Sequence, residues 1–372
     1  MRPQPPSASA SVSWRRVAVT GGALIGVLVL VGVLRALTAH GVFTALHPGT
    51  DDRYAGVCRA VASAPGPEDI VIDRQSGIAI ISSTDRRALK AGKPSPADGL
   101  YAYAYGVSGA KPVKIAGTSA NFHPHGLSLY RGPGGSLTLF VINHAYKAKN
   151  AIVTYTVAVK DGVVHLTETG FITSGLLKSP NAIAAIDDTR FYVVNDHTVT
   201  SDGGRWADDN LLMPRADILY FNGTGLVRAV ERLNFPNGAV VSEDGRFLYV
   251  SESYARKILA FERDPMMGQL KLAGELFVPS NLDNLRLGED GALWVGSHPK
   301  AYALSDYRHD AGKPAPSVVY RITLQDGLPV QYQQILSDAG TQIGASSVAD
   351  YAGGHLLIGS AYDTKILNCT GR

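Results

Sequence analysis

Two histidines lie at the ends of strand-like runs, where they could act as proton acceptors. His125 opens the alternating apolar and polar run of the segment NFHPHGLSLY, and His144 ends the apolar run FVINH. An imidazole beside a reacting carbonyl group can take a proton from water near neutral pH, and a second imidazole behind it can fix its tautomer. We predict that His125 and His144 form such a catalytic pair. A structural histidine is the alternative at each position, and it is the preferred interpretation of His123, His197 and His298.

Polar residues also open other strand-like runs, at intervals of 57, 56, 56, 46 and 63 residues. The residues that open these runs are Glu68, His125, Asn181, Asn237, Asp283 with Asn284, and Ser346 with Ser347. Six units of this size indicate the blades of a β-propeller. Because the residue that begins the innermost strand of a blade faces the central tunnel, these side chains are expected to meet at one mouth of the tunnel. For any one of them, an ordinary turn residue before a strand is the alternative.

Five oxygen-bearing side chains of this set suit calcium better than zinc. They comprise two carboxylates and three amides, without sulfur or imidazole: Glu68, Asn181, Asn237, Asp283 and Asn284. Calcium takes six to eight oxygen ligands, and the two carboxylates balance its charge. An ion held there could polarise a carbonyl group and stabilise the oxyanion that forms on attack.

The elements that must position these residues are short strands. Runs rich in β-branched and aromatic residues recur from residue 58 onward, and several carry a DG or GG turn, as in EDGRFLYV, EDGALWVG and AGGHLLIG. No stretch has the pattern of a long amphipathic helix, and the spacing of βαβ units is missing. The sequence therefore predicts an all-β fold, a six-bladed β-propeller over residues 58–372.

The N-terminal segment differs in composition from the rest of the chain. Residues 17–34 run without a charge, follow a pair of arginines, and just reach the length that spans a bilayer. The positive-inside rule then places the propeller outside the cytoplasm, in a periplasmic, extracellular or lumenal space. We predict a cytoplasmic tail over residues 1–16, a transmembrane signal-anchor over residues 17–37, and a linker or lid over residues 38–57. A cleaved signal peptide is the alternative.

The two cysteines, Cys58 and Cys369, lie near the two ends of the exported region. An even number of cysteines in an exported chain favours a disulfide, which here would close the propeller ring, while two free buried thiols are the alternative. The net charge of +3 over 372 residues is small and dispersed, which argues against a nucleic-acid partner. Asn222 and Asn368 begin N-x-T sequons, which matter only in a host that glycosylates exported proteins.

Several segments resemble those of the serum paraoxonase/arylesterase family, whose members are calcium-dependent, six-bladed propeller lactonases. The motifs GPEDI, HPHGL, VINH, NGAVVS and LDNL follow one another in the family's order between Cys58 and Cys369. The resemblance implies that the five oxygen-bearing residues named above hold a catalytic calcium. It also implies that His125 and His144 form the family's histidine dyad, and that Cys58 and Cys369 form its disulfide.

The resemblance further implies a substrate pocket and a second, structural calcium. Phe235 and Ser347 are expected to line the pocket. The second ion would be held by Asp69, the backbone carbonyl of Leu127 and an aspartate, but the third position is Ala182, which has no side-chain oxygen. With that ligand missing, the second ion is either absent or held more weakly through water.

Together these features predict a calcium-dependent hydrolase of carboxylic esters, with lactones and aryl esters as substrates and phosphotriesters as a side activity. The expected partners are the small-molecule substrate and, through the N-terminal helix, a membrane. The sequence indicates no particular protein partner. A propeller hydrolase of the gluconolactonase type and a propeller that only binds a partner are the alternatives, because a fold does not fix a function.

Overall fold

The computed structural model describes residues 14–39 and 52–371. In these residues, 24 strands form six antiparallel sheets of four strands each. The innermost strands of the six sheets contact one another in a closed ring and so surround a central tunnel. The predicted six-bladed β-propeller is confirmed.

The strands run from blade to blade in chain order. The first, β1 (Val57–Ala62), belongs to the last blade. Blade 1 consists of β2 (Pro67–Asp73), β3 (Ile78–Ser83), β4 (Gly99–Ala104) and β5 (Val113–Lys114), and blade 2 of β6 (Pro124–Arg131), β7 (Leu137–Asn143), β8 (Ala151–Lys160) and β9 (Val163–Thr173). Blade 3 consists of β10 (Pro180–Ala185), β11 (Phe191–Asn195), β12 (Ala216–Phe221) and β13 (Leu226–Leu233), and blade 4 of β14 (Pro236–Val241), β15 (Phe247–Glu252), β16 (Lys257–Arg263) and β17 (Leu270–Phe277). Blade 5 consists of β18 (Asn281–Leu287), β19 (Leu293–His298), β20 (Ser317–Gln325) and β21 (Leu328–Asp338), and blade 6 of β22 (Ser346–Ala352), β23 (His355–Ser360), β24 (Lys365–Thr370) and β1.

Helices in the described part of the chain lie outside the sheets. They are α1 (Trp14–Ala39), α2 (Arg86–Lys90), α3 (Asp202–Leu211) and α4 (Ala301–His309). Of these, α2, α3 and α4 connect strands within blades 1, 3 and 5, and the strand pattern of the sequence did not indicate them.

A bulge interrupts the ladder at the start of every innermost strand. In each blade the register between the first and second strands shifts by one residue, which leaves one or two residues of the first strand unpaired. The polar residues left out of the ladder are Glu68, His125, Asn181, Asn237, Asp283, Asn284 and Ser347. A bulge bends the strand and re-aims its side chain, so the fold turns these residues away from the sheet.

Two glycines allow the bulged strands to approach one another. A Cβ atom on Gly126 would collide with the backbone carbonyl of Asn181, and one on Gly238 would collide with the backbone nitrogen of Leu285. Any side chain at these positions would therefore push neighbouring blades apart and widen the tunnel.

Apolar side chains fill the space between neighbouring blades. Leu100 of blade 1 and Leu127, Leu139 and Tyr155 of blade 2 are fully buried in one shared cluster. Equivalent clusters join the other blades around the ring. Successive residues of a strand pack on opposite neighbours: Ile80 of β3 belongs to the cluster shared with blade 2, and Ile81 to the cluster shared with blade 6.

The ring is closed by the pairing of β1 with β24 in blade 6. Cys58 lies directly opposite Cys369 in this pairing, and the two form a disulfide. The predicted disulfide is confirmed, and two free thiols are excluded.

The predicted transmembrane anchor falls within α1. Among the helices of the described residues, none combines the length and the apolar character needed to cross a membrane. The expectation of a transmembrane helix over residues 17–37 is therefore not supported by the structure. Residues 1–13 of the predicted tail and residues 40–51 of the predicted linker lie outside the described residues.

Replacing Cys369 by serine is expected to lower the free energy of unfolding by about 2–5 kcal/mol, because the cross-link joins residues 311 positions apart. Denaturant unfolding under non-reducing conditions measures the difference. The unmutated chain in reducing buffer serves as the control and should unfold like the variant. Equal stability of the oxidised chain and the variant would mean that strand pairing alone closes the ring.

Candidate active site

Five of the polar residues at the bulges line one cavity, whereas Ser346 and Ser347 of blade 6, which the sequence placed in the same set, do not. The cavity has a volume of about 440 Å³ and lies at one mouth of the tunnel. Glu68, His125, Asn181, Asn237 and Asp283 all line it. Each comes from a different blade, so only the closed ring brings them together.

Four of the five expected calcium ligands carry a buried oxygen without a hydrogen-bond partner among the described residues. These atoms are Oε2 of Glu68 and the Oδ1 atoms of Asn181, Asn237 and Asn284. Buried acceptors without a donor cost free energy, on the order of 1–3 kcal/mol each. A group of them in one place suits a cation with oxygen ligands, so these residues fit a calcium ion. We call the set of Glu68, Asn181, Asn237, Asp283 and Asn284 the oxygen cage.

Hydrogen bonds orient two of the amides in the oxygen cage. The Nδ2 atom of Asn181 donates to Oδ2 of Asp196 at 3.1 Å, and Nδ2 of Asn284 donates to Oε1 of Glu68 at 2.7 Å. Because the amide nitrogens are used in this way, the Oδ1 atoms are left as the free ligands. Within residues 14–39 and 52–371, no group of three or more His, Cys, Asp or Glu side chains is arranged to hold a metal. The oxygen cage contains only two such side chains because amides supply the rest.

The charges around Glu68 keep it ionised. Burial by itself would raise the pKa of Glu68, but the nearby His125 and Arg86 and the hydrogen bond from Asn284 lower it to about 2. The Nη2 atom of Arg86 lies 3.5 Å from Oε2 of Glu68. Burial raises the pKa of Asp283, and the negative charge of Glu68 raises it further. A cation between the two carboxylates would favour the ionised form of both.

His125 and His144 are joined in a chain of hydrogen bonds that ends at Asn150. The Nδ1 atom of His125 lies 2.9 Å from Nε2 of His144, and Nδ1 of His144 lies 2.9 Å from Oδ1 of Asn150. The Nδ2 atom of Asn150 donates to the backbone carbonyls of Leu177 and Lys178, each at 3.2 Å. The amide of Asn150 is thereby fixed with its oxygen toward His144.

This chain determines which ring nitrogen of each histidine carries a proton. Because Oδ1 of Asn150 only accepts, Nδ1 of His144 must donate to it, which leaves Nε2 of a neutral His144 as an acceptor. His125 then donates from Nδ1, and its Nε2 atom is free to accept a proton. Burial lowers the pKa of His144 to about 4, so His144 stays neutral near pH 7, and a positive charge on His125 acts in the same direction. The Nε2 atom of His125 lies 3.4 Å from Oε2 of Glu68 and faces the oxygen cage.

Comparisons with known proteins identify the family of the chain. A model of the arylesterase family matches residues 88–370. The chain belongs to the arylesterase family. Serum paraoxonase/arylesterase 2 of Homo sapiens is 29% identical over 247 residues, which cover 65% of this chain and 67% of that protein. Serum paraoxonase/arylesterase 1 of Mus musculus is 30% identical over 253 residues, which cover 67% of this chain and 69% of that protein.

Among solved structures, a luciferin-regenerating enzyme superimposes with a TM-score of 0.52 at 14% sequence identity, covering 85% of this chain and 95% of that chain. At that identity the likeness concerns the propeller fold alone. Membership of the arylesterase family, a family of hydrolases, rests on the sequence match, and it supports a hydrolase over a propeller that only binds a partner.

The structure brings Phe235 into the cavity wall but leaves Ser347 outside it. Phe235 lines the cavity and adopts a φ of 51°, in the left-handed region where a bulky residue is strained. Its ring contacts those of His197 and Tyr254, with centroids 5.0 and 4.8 Å away. Ser347 is fully buried and donates to the backbone carbonyl of Glu68 at 2.6 Å. Ser347 therefore holds the bulge of Glu68 in place.

His298 and His197, for which the sequence favoured a structural role, support the oxygen cage. The Nε2 atom of His298 lies 2.6 Å from Oδ2 of Asp283, which fixes this carboxylate. His197 bridges Asp196 and Asp209, at 2.9 and 3.0 Å. Burial would lower the pKa of His197, but its bonds to the two aspartates raise it to about 9, so it stays protonated. His197 thereby ties α3, which carries Asp209, to the oxygen cage.

Sequence reasoning missed Asn150 and the residues that the helices bring to the cavity. Asp209 and Asn210 of α3, and Tyr302, Leu304 and Arg308 of α4, line its walls. Ser201 caps α3 by accepting from the backbone nitrogen of Gly204, and a serine before an acidic first turn was the signal that could have revealed this helix. Asn150 stands in the loop after β7, where no pattern marks it.

The ligands expected for a second calcium are already engaged. The carboxylate of Asp69 and the backbone carbonyl of Leu127 both accept hydrogen bonds from the guanidinium group of Arg286. Ala182, at the third expected position, is buried and offers only a methyl group. The residues present do not fit a second calcium in the family's arrangement.

Calcium is expected to raise the melting temperature of the chain, because it would bind the folded oxygen cage and not the unfolded chain. At one hundred times its Kd, a bound ion adds about 2.7 kcal/mol to the free energy of unfolding. Differential scanning calorimetry with and without calcium measures the shift. Asp283→Asn should abolish most of it, while Asp161→Asn, in the exposed turn between β8 and β9, should leave it unchanged. A shift that survives in Asp283→Asn would contradict the assignment.

Proposed function

We propose that this chain hydrolyses carboxylic esters, with lactones and aryl esters as its substrates, in a calcium-dependent reaction. The observation that carries the proposal is the proton arrangement at His125. The hydrogen bonds that run from His125 through His144 to Asn150 leave its Nε2 atom as a proton acceptor. This atom faces the oxygen cage, in which four buried oxygens lack hydrogen-bond donors. The names of the similar proteins, which contain paraoxonase and arylesterase, support the same reaction class.

The oxygen cage would supply the electrostatic part of the reaction. A calcium ion held by Glu68, Asn181, Asn237, Asp283 and Asn284 would polarise the substrate carbonyl and offset the negative charge that develops on its oxygen. The ionised carboxylate of Glu68 and its short contact to Asn284 keep the cage ready for a cation before any substrate arrives.

The histidine chain moves the proton. The Nε2 atom of His125 takes a proton from the attacking water as the water oxygen bonds to the carbonyl carbon. The positive charge that forms on His125 is stabilised by Glu68, 3.4 Å away, while the neutral His144 continues to accept from Nδ1. When the bond between the carbonyl carbon and the ester oxygen breaks, His125 returns the proton to the leaving oxygen. The products are a carboxylic acid and an alcohol, joined in one molecule when the substrate is a lactone.

The walls of the cavity favour a flat or cyclic substrate of modest size. Aromatic rings of Phe235, Tyr254, Tyr302 and Tyr362 surround the polar floor. Such walls exclude water and contact an aryl group or a lactone ring, while the oxygen cage receives the polar end. A phosphoryl oxygen could occupy the place of the carbonyl oxygen, which supports phosphotriester hydrolysis as a side activity.

Hydrolysis of phenyl acetate and of a medium-chain δ-lactone by the purified full-length chain tests the proposal. Activity on both should disappear with excess chelator and return with calcium. His125→Gln should lower kcat by about 100-fold or more, as expected for loss of a general base, while the calcium-induced shift in melting temperature persists. Full activity of His125→Gln would overturn the base assignment, and no turnover with or without calcium would indicate a propeller that only binds.

Asn150 is expected to act on the rate only through the histidines, as a positioning residue. Asn150→Ala removes the acceptor that fixes His144, so kcat should fall about tenfold with KM little changed. Asn150→Asp keeps an acceptor and adds a negative charge, so it should retain most of the rate and shift the acidic limb of the pH–rate profile to higher pH. Asn222→Ala, in an exposed turn, is the control. An unchanged pH–rate profile in Asn150→Asp would argue against an effect of Asn150 on His125 through His144.

We also propose that the propeller functions outside the cytoplasm. The Cys58–Cys369 disulfide supports this location, because structural disulfides persist in oxidising compartments. The membrane anchor over residues 17–37 stays a prediction of the sequence. Cell fractionation followed by carbonate extraction checks both points: an anchored chain stays in the membrane pellet with its disulfide formed, whereas a cytoplasmic chain is recovered reduced.

A further inference from the structure

A buried arginine that the proposed reaction does not use lies in the tunnel. Arg286 belongs to the innermost strand β18, two residues after Asn284, and is 7% exposed. Its Nε atom donates to the backbone carbonyl of Ile70 at 2.7 Å, and its Nη1 atom donates to that of Leu285 at 3.0 Å. The guanidinium group thus connects blade 5 to blade 1.

The remaining contacts of Arg286 are those that a structural cation would make. Its Nη2 atom donates to Oδ1 of Asp69 and, at 3.2 Å, to the backbone carbonyl of Leu127. Asp69 and Leu127 come from β2 and β6, so a single positive group reaches three of the six innermost strands. A guanidinium group carries a permanent charge and several donors in one plane, which lets it hold several oxygens at once.

The oxygens around Arg286 have partners, in contrast to those of the oxygen cage. Oδ1 of Asp69 also accepts from the backbone nitrogen of Ile70 at 2.9 Å, and Oδ2 accepts from that of Leu127 at 2.7 Å. Within the described residues, neither oxygen of Asp69 is a buried atom without a hydrogen-bond partner, whereas four oxygens of the cage are. A second calcium ion would have to displace these donors and lie against a positive charge.

The position of Arg286 also divides the tunnel. The cavity at the opposite mouth has a volume of about 510 Å³ and is lined by Arg286 and Leu127, together with the later residues of the innermost strands. The oxygen cage lies at the earlier residues of the same strands. Arg286 therefore lies between the two mouths, at the level where a structural ion would hold the blades together.

We propose that the guanidinium group of Arg286 replaces the second calcium of the family, so that this chain binds one calcium ion rather than two. The binding of the one remaining ion rests on the proposed function, but the replacement by Arg286 does not. The chain should therefore keep its fold when calcium is removed.

The number of calcium ions is measured by isothermal titration calorimetry on the full-length chain. We expect one ion per chain, and none for Asp283→Asn, in which the oxygen cage is impaired and Arg286 is intact. Two ions in the unmutated chain, or one ion bound in Asp283→Asn with undiminished affinity, would overturn the replacement. A chain that binds no calcium would overturn the proposed function and would leave the replacement supported.

Removal of the guanidinium group tests its structural role. Arg286→Met leaves the buried carboxylate of Asp69 without its counter-charge, so the melting temperature in chelator should fall by about 5–10 °C. The control is Arg321→Met, which breaks a pair with Asp290 in which both side chains are 23% exposed, and it should shift the melting temperature by less than about 2 °C. Equal shifts in the two variants would overturn the structural role of Arg286.

A double variant that gains a second calcium ion distinguishes two cases: replacement of that ion by Arg286, and loss of the ion's site without a replacement. Ala182→Asp combined with Arg286→Ser supplies the missing carboxylate and removes the competing charge, so the double variant should bind two calcium ions and regain its melting temperature when calcium is added. Ala182→Asp alone should still bind one. A second ion bound by Ala182→Asp alone, or no second ion in the folded double variant, would contradict the proposal.

Discussion

The closed ring of six innermost strands, each bulged at its first residues, is the constraint on which the rest of the structure depends. A bulge removes one or two residues from the ladder, and here the same end of every strand is affected. Because the strands surround one axis, the residues released from the ladder meet without being near in sequence. Apolar packing between the blades, the glycines at the closest approaches and the cross-link at the last blade all serve to keep this ring at a fixed diameter.

Two layers of opposite character follow one another along the tunnel. The outer layer collects oxygens that lack donors, and its electrostatics favour an added positive charge. In the inner layer the positive charge is part of the chain, because Arg286 supplies it and every oxygen of Asp69 has a donor. The two layers are adjacent in sequence, since Glu68 precedes Asp69 and Asn284 lies two residues before Arg286. A strand can serve both because successive side chains reach different depths and faces of the pleat.

The sequence predicted the blades and the convergence of the oxygen cage, because polar residues that recur at blade spacing before apolar runs are typical of the innermost strands of a propeller. His125 was predicted for the same reason, whereas His144 was predicted from its place at the end of an apolar run and from the resemblance to the family. Asn150 could not be predicted, since its partners are backbone carbonyls that only the folded loop brings near. Arg286 could have been suspected, because a charged residue in the middle of an innermost strand must have a buried partner. The identity of that partner depended on the ring, as Asp69 lies 217 positions away in the chain.

The pairing of β1 with β24 has a consequence for how the protein is made. A ribosome releases β24 about 300 residues after β1, so blade 6 stays incomplete while blades 1 to 5 are made. During that time β1 has no neighbouring strand to pair with. The surfaces of blades 1 and 5 that face blade 6 also have nothing to pack against. Oxidation of the two cysteines must wait for the same moment. Pairing of β24 with β1 and oxidation of the cysteines therefore complete the ring and lock it only after blades 1 to 5 have been made.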